Sequence, residues 1–574
     1  MGKPVSSGEA RSLLVGRVYW RRDSCEVLRS LPGEICRPPC DEHGSRRGRK
    51  DEAVTGRQKS DGRVVPEGRR KACRADASRQ GKAATVSKQV EQLGLFDETA
   101  VTPQGAVAAR TSGPPDGKQL TVPKSPEGKS NALSPMTMEE IANDANLRRA
   151  FRNVAANRGA PGPDRQTIAE VRENLDECLE QIGQSLLDGT YRAGDVRRVW
   201  IPKASGGQRG LGVPNVVDRI VQQAVHQVLS PHYEKTFHEW SYGFRPGRGA
   251  HTAIKQAMLH LRAGYDWVVD IDLEKFFDKV NHDRLMSRLE QRVADRRVLS
   301  LIRQMLVAKV VMPDGVVAAT ERGTPQGGPL SPLLSNIVLD ELDRELEARG
   351  HRFVRYADDC NVYVRSERAG QRVMASLESF IEKRLRLKVN QEKSKVAKPQ
   401  TRTFLGLTLH WLKSGPVRVL VADSSWERIR QRLKALTPRN WGQSVDDCIQ
   451  RVNVFLRGWL GYFAICDEKH HPRMDRVDGH LRRRLRALLL KQWKRKRHIV
   501  NRLKQMGVPA PLTHVDVHAR RRSWWALSKV RAVCRGLNNE YFERRGLYAL
   551  HAHWRGNHER IWDIGLPPRV RQGG

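Results

Sequence analysis

The chain has 574 residues, enough for roughly two to four domains with sizeable cores, and carries 102 Lys and Arg against 64 Asp and Glu, a formal net charge of +38. An excess of that size, spread along the whole length, points to a polyanionic partner, with nucleic acid ahead of an anionic membrane surface. There is no run of about eighteen apolar residues, no signal-peptide core and no CxxC pair among the nine cysteines, which argues against a membrane span, secretion and a paired-cysteine zinc site.

A cytoplasmic, nucleic-acid-associated protein with reduced thiols is therefore expected. Residues 1–134 are rich in Arg, Lys, Gly, Ser and Pro, as in GSRRGRK and PEGRRKACR, and hold too little apolar surface to offset ordering entropy. This segment reads as disordered, with one apolar island in VEQLGLFDETAV, or as a leader translated ahead of a later true start. Order is expected from Thr137. Helical periodicity runs through MEEIANDANLRRAFRNVAAN, and TIAEVRENLDECLEQIGQSLLDGTY reads as one amphipathic helix ending at Gly189. From Val199 to Leu409 short strands alternate with helices, an α+β pattern. There, Lys203 and Arg209 flank a Gly-rich hairpin turn in VWIPKASGGQRGLGV, placed to grip a triphosphate; taken alone they read as two solvated turn cations.

WVVDIDLEKFFDKVNHDRL (Trp267–Leu285) reads as a buried strand running into a helix. Asp270 and Asp272 alternate with Ile271 and so share a face, and a carboxylate at the end of a buried strand is costly unless it is paired or holds a metal. The bland alternative, helix capping, suits Asp270 or Asp278 better. RGTPQGGPLSPLLSNIVLDELD follows, a Gly/Pro loop with the Gln326 amide at its tip, then an amphipathic helix from Ser331. In FVRYADDCNVYV, Asp358 and Asp359 sit in a tight turn between two alternating strands. Alone, Asp-Asp is a polar turn. With Asp272 it makes three acids converging from separate strands, a cage for the two metal ions of nucleotidyl transfer.

A linker is expected near Lys413–Ser425, then basic helices to Met506. Arg482, Arg483, Arg484, Arg486, Lys491, Lys494, Arg495, Lys496 and Arg497 fall on what reads as one helix with Leu485, Leu488, Leu489 and Trp493, a basic face for RNA phosphates. Trp524, Trp525, Tyr541, Phe542, Trp554 and Trp562 in the tail suit either base stacking or, more readily, core packing.

In order, the chain carries NRGAPGPD, IPKASGGQRGLGVPNVVDRIVQQAV, SYGFRPGRGAHTAI, DIDLEKFFDKVNHDRL, GTPQGGPLSPLLSNIVLDELD, RYADD, LKVNQEKSKV and FLGL. This series resembles the successive blocks of group II intron reverse transcriptases, and RGWLGYF with RRRLRALLLKQWKRKR resembles their maturase, or thumb-like, X domain and its basic extension. The resemblance implies a right-hand polymerase: fingers and palm over 135–412, a helical thumb/X domain over 413–506 and a basic aromatic extension over 507–574. It implies that Asp272, Asp358 and Asp359 hold two Mg²⁺ ions, and that Phe277 is a steric gate against the ribose 2′-hydroxyl. Lys203 and Arg209 would hold the triphosphate and Gln326 would meet the incoming dNTP. Lys393 or Lys395 would lie on the primer or substrate side, and Leu405-Gly406 would be the primer-grip turn. The implied partners are an RNA template with a DNA primer, the parent intron RNA, whose splicing the protein would assist, and target DNA for retrohoming.

The sequence departs from many relatives, which end in an HNH-type endonuclease domain with paired cysteines. It stops soon after Trp562, with His551, His553 and His558 but no CxxC, so second-strand cleavage is not expected of this chain and another source of primer is. Two rival readings remain: a splicing cofactor with an inert polymerase fold, against which the intact acids argue, and a reverse transcriptase domesticated for host defence or repair.

Overall fold

The computed structural model describes residues 136–202, 207–324, 326–411, 415–438, 440, 442–467, 470–519 and 523–563. The N-terminal segment and Lys203 lie outside the described residues. In chain order the longer helices are α1 (Asp144–Ala156), α2 (Leu175–Leu187), α3 (Val216–Glu234), α4 (Ala250–Arg262), α5 (Ser331–Ala348), α6 (Glu367–Phe380), α7 (Asp423–Leu436), α8 (Val445–Phe463), α9 (His471–Trp493), α10 (Lys496–Gln505) and α11 (Leu550–Asp563). The strands are β1 (Val196–Pro202), β2 (Gln208–Val213), β3 (Trp267–Ile271), β4 (Val310–Val311), β5 (Val317–Ala318), β6 (Arg352–Tyr356), β7 (Asp359–Val364), β8 (Lys395–Ala397), β9 (Leu407–His410) and β10 (Arg418–Val421).

The first two expected helices are each broken in two. A short helix, Met138–Ala142, precedes α1, and Asn143 stops it because its side chain accepts from Ala145 N and caps the next helix. Ile168–Glu173, opened by a Thr167/Glu170 capping box, is parted from α2 at Asn174, whose φ of −118° and ψ of 41° leave the helical region. The expected linker at Lys413–Ser425 carries a strand instead: β10 pairs antiparallel with β9, and α7 begins at Asp423.

Two four-stranded sheets position the site. One has the order β2-β1-β4-β5, the other β6-β7-β3-β8. In the second, all neighbours run antiparallel and every side chain alternates between two different cores. Val269, Ile271, Phe353, Cys360, Val362 and Val364 point to one face, packed with residues drawn from 138–389 and covered by α5 and α6. Val268, Val354, Tyr356 and Tyr363 point to the other, whose core begins at Tyr242, takes in α4 and continues through the C-terminal helices to Ile561. The sheet is thus a shared wall, buried on both sides. Helix α5 is buried through most of its circumference, including Asn336, Asp340 and Asp343, and is more central than the expected amphipathic helix.

The last described residues pack into the same core as α7–α9. Trp554 and Phe542 are buried, with Trp524, Tyr541 and Trp562 against them, so the tail aromatics serve mainly as core. Lys255 Nζ on α4 donates to the carbonyls of Ile561 (2.7 Å) and Trp562 (3.3 Å), capping the C-terminal end of α11.

Candidate active site and its electrostatics

The three acids meet because of strand register. β3 pairs with β7 with Ile271 opposite Cys360, so the next position along the same register sets Asp272 opposite Asp359. β6 and β7 close with Tyr356 opposite Asp359, which leaves Ala357-Asp358 as a two-residue hairpin loop, with Ala357 at a left-handed φ of 56°. Asp358 and Asp359 therefore sit at a hairpin tip, as the sequence pattern suggests.

Buried chemistry beneath the tip holds it there, and the sequence reading missed it. The fully buried Arg355 forms a two-pronged ion pair with Asp343 of α5 (Nε–Oδ1 2.7 Å, Nη2–Oδ2 2.5 Å). Its Nη1 donates to Asn336 Oδ1 and to the Ala357 carbonyl, both at 2.9 Å, so the guanidinium fixes the first residue of the turn. Gly243 closes the far side: a Cβ there would come within 2.2 Å of Ala357 N, and its carbonyl accepts from Asn336 Nδ2 at 2.9 Å. The signal was present in RYADD, LDELD and SYGF, but only the fold brings them together.

Asp270 and Asp272 share a face yet have different partners. Asp270 caps no helix; its Oδ2 accepts from Arg402 Nε at 2.8 Å and from Arg402 Nη2, and Arg402 also donates to the Lys393 carbonyl at 2.6 Å. Asp272 is left for the site. Its backbone is tied to the loop 390–394 by Asn390 N (2.8 Å) and Ser394 Oγ (2.9 Å). That loop carries Lys393, whose Nζ lies 3.1 Å from Asp272 Oδ2. Lys395 is a strand residue paired with Asp270, so of the two lysines Lys393 is the one that reaches the acids.

Asp359 is solvent-exposed as a residue, yet protein crowds around its carboxyl closely enough to desolvate it. Burial first, then the charges of Asp358, Asp270 and Asp272, push its carboxyl up to about 8, with Lys393 pulling it down. Asp358 is likewise raised, chiefly by burial, with Arg209 among the groups opposing the rise. Among the described residues no trio of His, Cys, Asp or Glu already stands in coordinating geometry. The donors nonetheless suit a hard divalent cation: clustered carboxylate oxygens that resist joint ionisation, the condition a bound cation relieves.

A pH dependence follows. A carboxyl whose pKa is higher in the folded than in the unfolded chain binds its proton more tightly when folded. That contribution is fully present below the unfolded value and is lost as pH rises through about 8. A divalent cation should therefore raise the melting temperature more at pH 8 than at pH 6, where it must first displace a proton. Equal shifts at both values, read by thermal melts with the cation or a chelator, would sink this reading.

The residues expected on the nucleotide side assemble beside the acids. Arg209 Nε donates to Gln326 Oε1 at 2.6 Å, and Gly212 N donates to the Gln326 carbonyl at 2.7 Å, so β2 and the Gly/Pro loop lock together. Phe277, buried in a short helical turn (Phe276–Lys279) just after Asp272, accepts from Thr324 N of the same loop at 2.7 Å. Leu405 and Gly406, at φ 52° and 76°, form the tight turn between Phe404 and Leu407. Tyr462 Oη of α8 donates to the Leu405 carbonyl (2.8 Å) and Ser425 Oγ to that of Gly406 (2.9 Å), which docks this turn on the C-terminal helices.

The basic segment is not one helix. α9 stops at Trp493, Lys494 takes a left-handed φ of 56°, and α10 starts at Lys496. Several of its cations are internal struts. Arg483 stacks 3.7 Å over Trp525, Arg484 Nη2 donates to the Thr437 and Lys434 carbonyls, and Arg486 Nε donates to that of Leu537 at 2.7 Å. Lys491 donates to Asn440 Oδ1, and Arg482 lies half-buried near Asp478. Lys491, Lys494, Arg495 and Arg497 are exposed and Lys496 half-exposed, so the exposed basic surface of this segment centres on the α9–α10 junction. His553 and His558 stand against the carbonyls of Ala549 and Ala464, and His551 against Asp475.

Residues 201–409 match the family described as "Reverse transcriptase (RNA-dependent DNA polymerase)", and 426–506 match "Group II intron, maturase-specific domain". The chain is similar to Protein YkfC of Escherichia coli K12, at 33% identity over 340 residues, covering 51% of this chain and 88% of that protein. It is similar to the group II intron-encoded protein LtrA of Lactococcus lactis, at 28% identity over 336 residues, covering 47% of this chain and 55% of LtrA. Nuclear intron maturase 2, mitochondrial, of Arabidopsis thaliana is 33% identical over 177 residues, covering 24% of each chain. The chain thus spans most of YkfC but little more than half of LtrA.

Proposed function

Since the chain belongs to the family of group II intron-encoded reverse transcriptases that carry a maturase-specific domain, we propose that it is an RNA-directed DNA polymerase that also binds its parent intron RNA as a splicing maturase. The observation that carries the polymerase half is the convergence of Asp272, Asp358 and Asp359 beside the Arg209–Gln326 pair. Enzymes of this family use divalent metal ions, and Mg²⁺ held by the three acids would neutralise charge on the attacking 3′-hydroxyl and the leaving pyrophosphate. Arg209 and Lys203 hold the triphosphate of a dNTP. Gln326 orients it, and the Phe277 ring leaves no room for a 2′-hydroxyl. Leu405-Gly406 supports the primer strand, and Lys393 balances charge at Asp272. Catalysis by the protein is then positioning and charge complementarity, with no covalent step on a side chain.

The maturase half draws its support from the match over 426–506 and from the cations at the α9–α10 junction. There the protein would grip intron RNA, while splicing chemistry stays with the RNA. Retrohoming into target DNA follows as a further proposal from the same pairing of activities. The test is extension of a DNA primer on an RNA template with Mg²⁺, run beside splicing of the intron RNA that flanks the gene. Absence of extension by the unmodified protein would remove the polymerase half.

A further inference from the structure

Trp200 is 43% exposed, and among the described residues no other Trp, Tyr or Phe is in the exposed class. The other described aromatic rings are buried or half-buried. A lone exposed Trp beside a cation in a strongly basic chain calls for a partner, and its surroundings are those of a prepared platform.

β4 pairs with β1 only at Val196 and Arg197, so Arg198–Pro202 and Gln208–Gly212 project beyond the sheet as a two-stranded ribbon. Opposed residues of an antiparallel pair share a face. Arg209 opposes Ile201 on the face turned to Gln326; Trp200 opposes Gly210, and Arg198 opposes Gly212, on the other. Arg198 lies across that outer face, its guanidinium 5.7 Å from the centre of the Trp200 ring and its Nη1 donating to the Gly210 carbonyl at 3.1 Å. A Cβ at residue 210 would meet Arg198 at 2.6 Å and the Trp200 ring at 3.1 Å, so glycine there keeps the two side chains flat on the ribbon. Among the described residues no carboxylate pairs with Arg198, and its Nε has no hydrogen-bond partner.

We propose that Trp200 and Arg198 form a stacking platform for an unpaired base of the RNA template that has not yet been copied. This rests on the reading of the chain as an RNA-copying polymerase. Such an enzyme holds two nucleic-acid surfaces: a paired product, whose bases offer no free face, and a single strand, whose bases do. An aromatic ring with a guanidinium beside it binds the second, the ring by stacking and the cation by charge. The ribbon supports the choice of template over a distant loop of intron RNA, because its opposite face carries Arg209 at the nucleotide site.

The test is equilibrium binding, read by fluorescence anisotropy, of a labelled DNA primer annealed to RNA templates that end blunt or carry a 5′ overhang of about six nucleotides. Trp200→Ala should weaken binding of the overhang substrate by roughly 5- to 150-fold, the range given by about 1–3 kcal/mol per base–aromatic stack. It should leave blunt-end binding, intron RNA affinity and melting temperature unchanged. Trp200→Tyr should restore most of the loss, and Arg198→Ala should lose part of it. Equal loss on both duplexes, no loss on either, or loss confined to intron RNA would overturn the proposal. Because the readout is binding, failure of primer extension by the unmodified protein strikes the polymerase reading separately.

Discussion

Asp358→Asn lowers the rate of primer extension on RNA by about three orders of magnitude or more, the expected scale when several kcal/mol of charge stabilisation at a metal-assisted transfer is removed. Asp272→Asn and Asp359→Asn behave alike. What makes the prediction specific is its companion measurement. Burial and mutual repulsion hold the carboxyls of Asp358 and Asp359 above their ordinary range, so in the presence of a chelator the Asn variants at these two positions melt no lower than the parent protein. Activity and folding should therefore separate. A variant that loses both would show the acids to be structural. Splicing assistance should survive, because the surface proposed for it lies at the junction of α9 and α10. If Asp358→Asn abolishes splicing as well, the division of labour between the two halves is wrong.

The second large effect lies below the Asp358-Asp359 turn. Arg355 and Asp343 are both fully buried and bonded at two points, with Arg355 also holding the Ala357 carbonyl. Removing one partner strands the other charge, at a cost of about 3–5 kcal/mol. Arg355→Met or Asp343→Leu should accordingly shift the denaturant midpoint by a large fraction of the total stability. The double variant Arg355→Met/Asp343→Leu should recover much of that loss, since an apolar pair leaves no orphaned charge. Polymerase activity should not recover with it, because Ala357 sits at a left-handed φ of 56° and the guanidinium bond to its carbonyl is gone. A double variant as unstable as the singles would place the stability elsewhere than in this pair. One that regains full activity would show that the turn needs no such anchor.

The convergence of the three candidate acids was legible in the sequence because it depends on short-range pattern. Alternation through FVRYADDCNVYV and WVVDID sets strands, faces and a two-residue turn, and the family blocks supply the choice of Asp272 over Asp270. The pairing of Asp270 with Arg402 gives that choice a physical reason that the sequence alone did not hold. What was illegible joins residues far apart in the chain: Arg209 with Gln326, Arg355 with Asp343 and Asn336, Gly243 against Ala357. The broken helices are a different kind of miss. Asn143 and Asn174 sit in runs of good helical periodicity, and at Asn143 the cap won over the pattern. At Lys494 a left-handed residue with neither Gly nor Pro beside it splits the basic segment, so composition carried no warning. Charge density likewise overstated the freely exposed basic surface, since Arg483, Arg484 and Arg486 are engaged within the protein.

The shared wall at the centre of the molecule has a consequence for its birth on the ribosome. The core on one face of the β6-β7-β3-β8 sheet is complete once residue 389 has emerged, whereas the core on the other face waits for Ile561, about 170 residues later. At roughly 5–20 residues per second, that second face stays uncovered for about ten to thirty seconds. Tyr356 and Ala357, which immediately precede Asp358, belong to the late face. The hairpin that carries the candidate catalytic acids is therefore translated long before its supporting side is built. A chain stalled anywhere in this interval would hold its acids on a half-formed wall with a wide apolar surface open to capture by chaperones or by neighbouring chains.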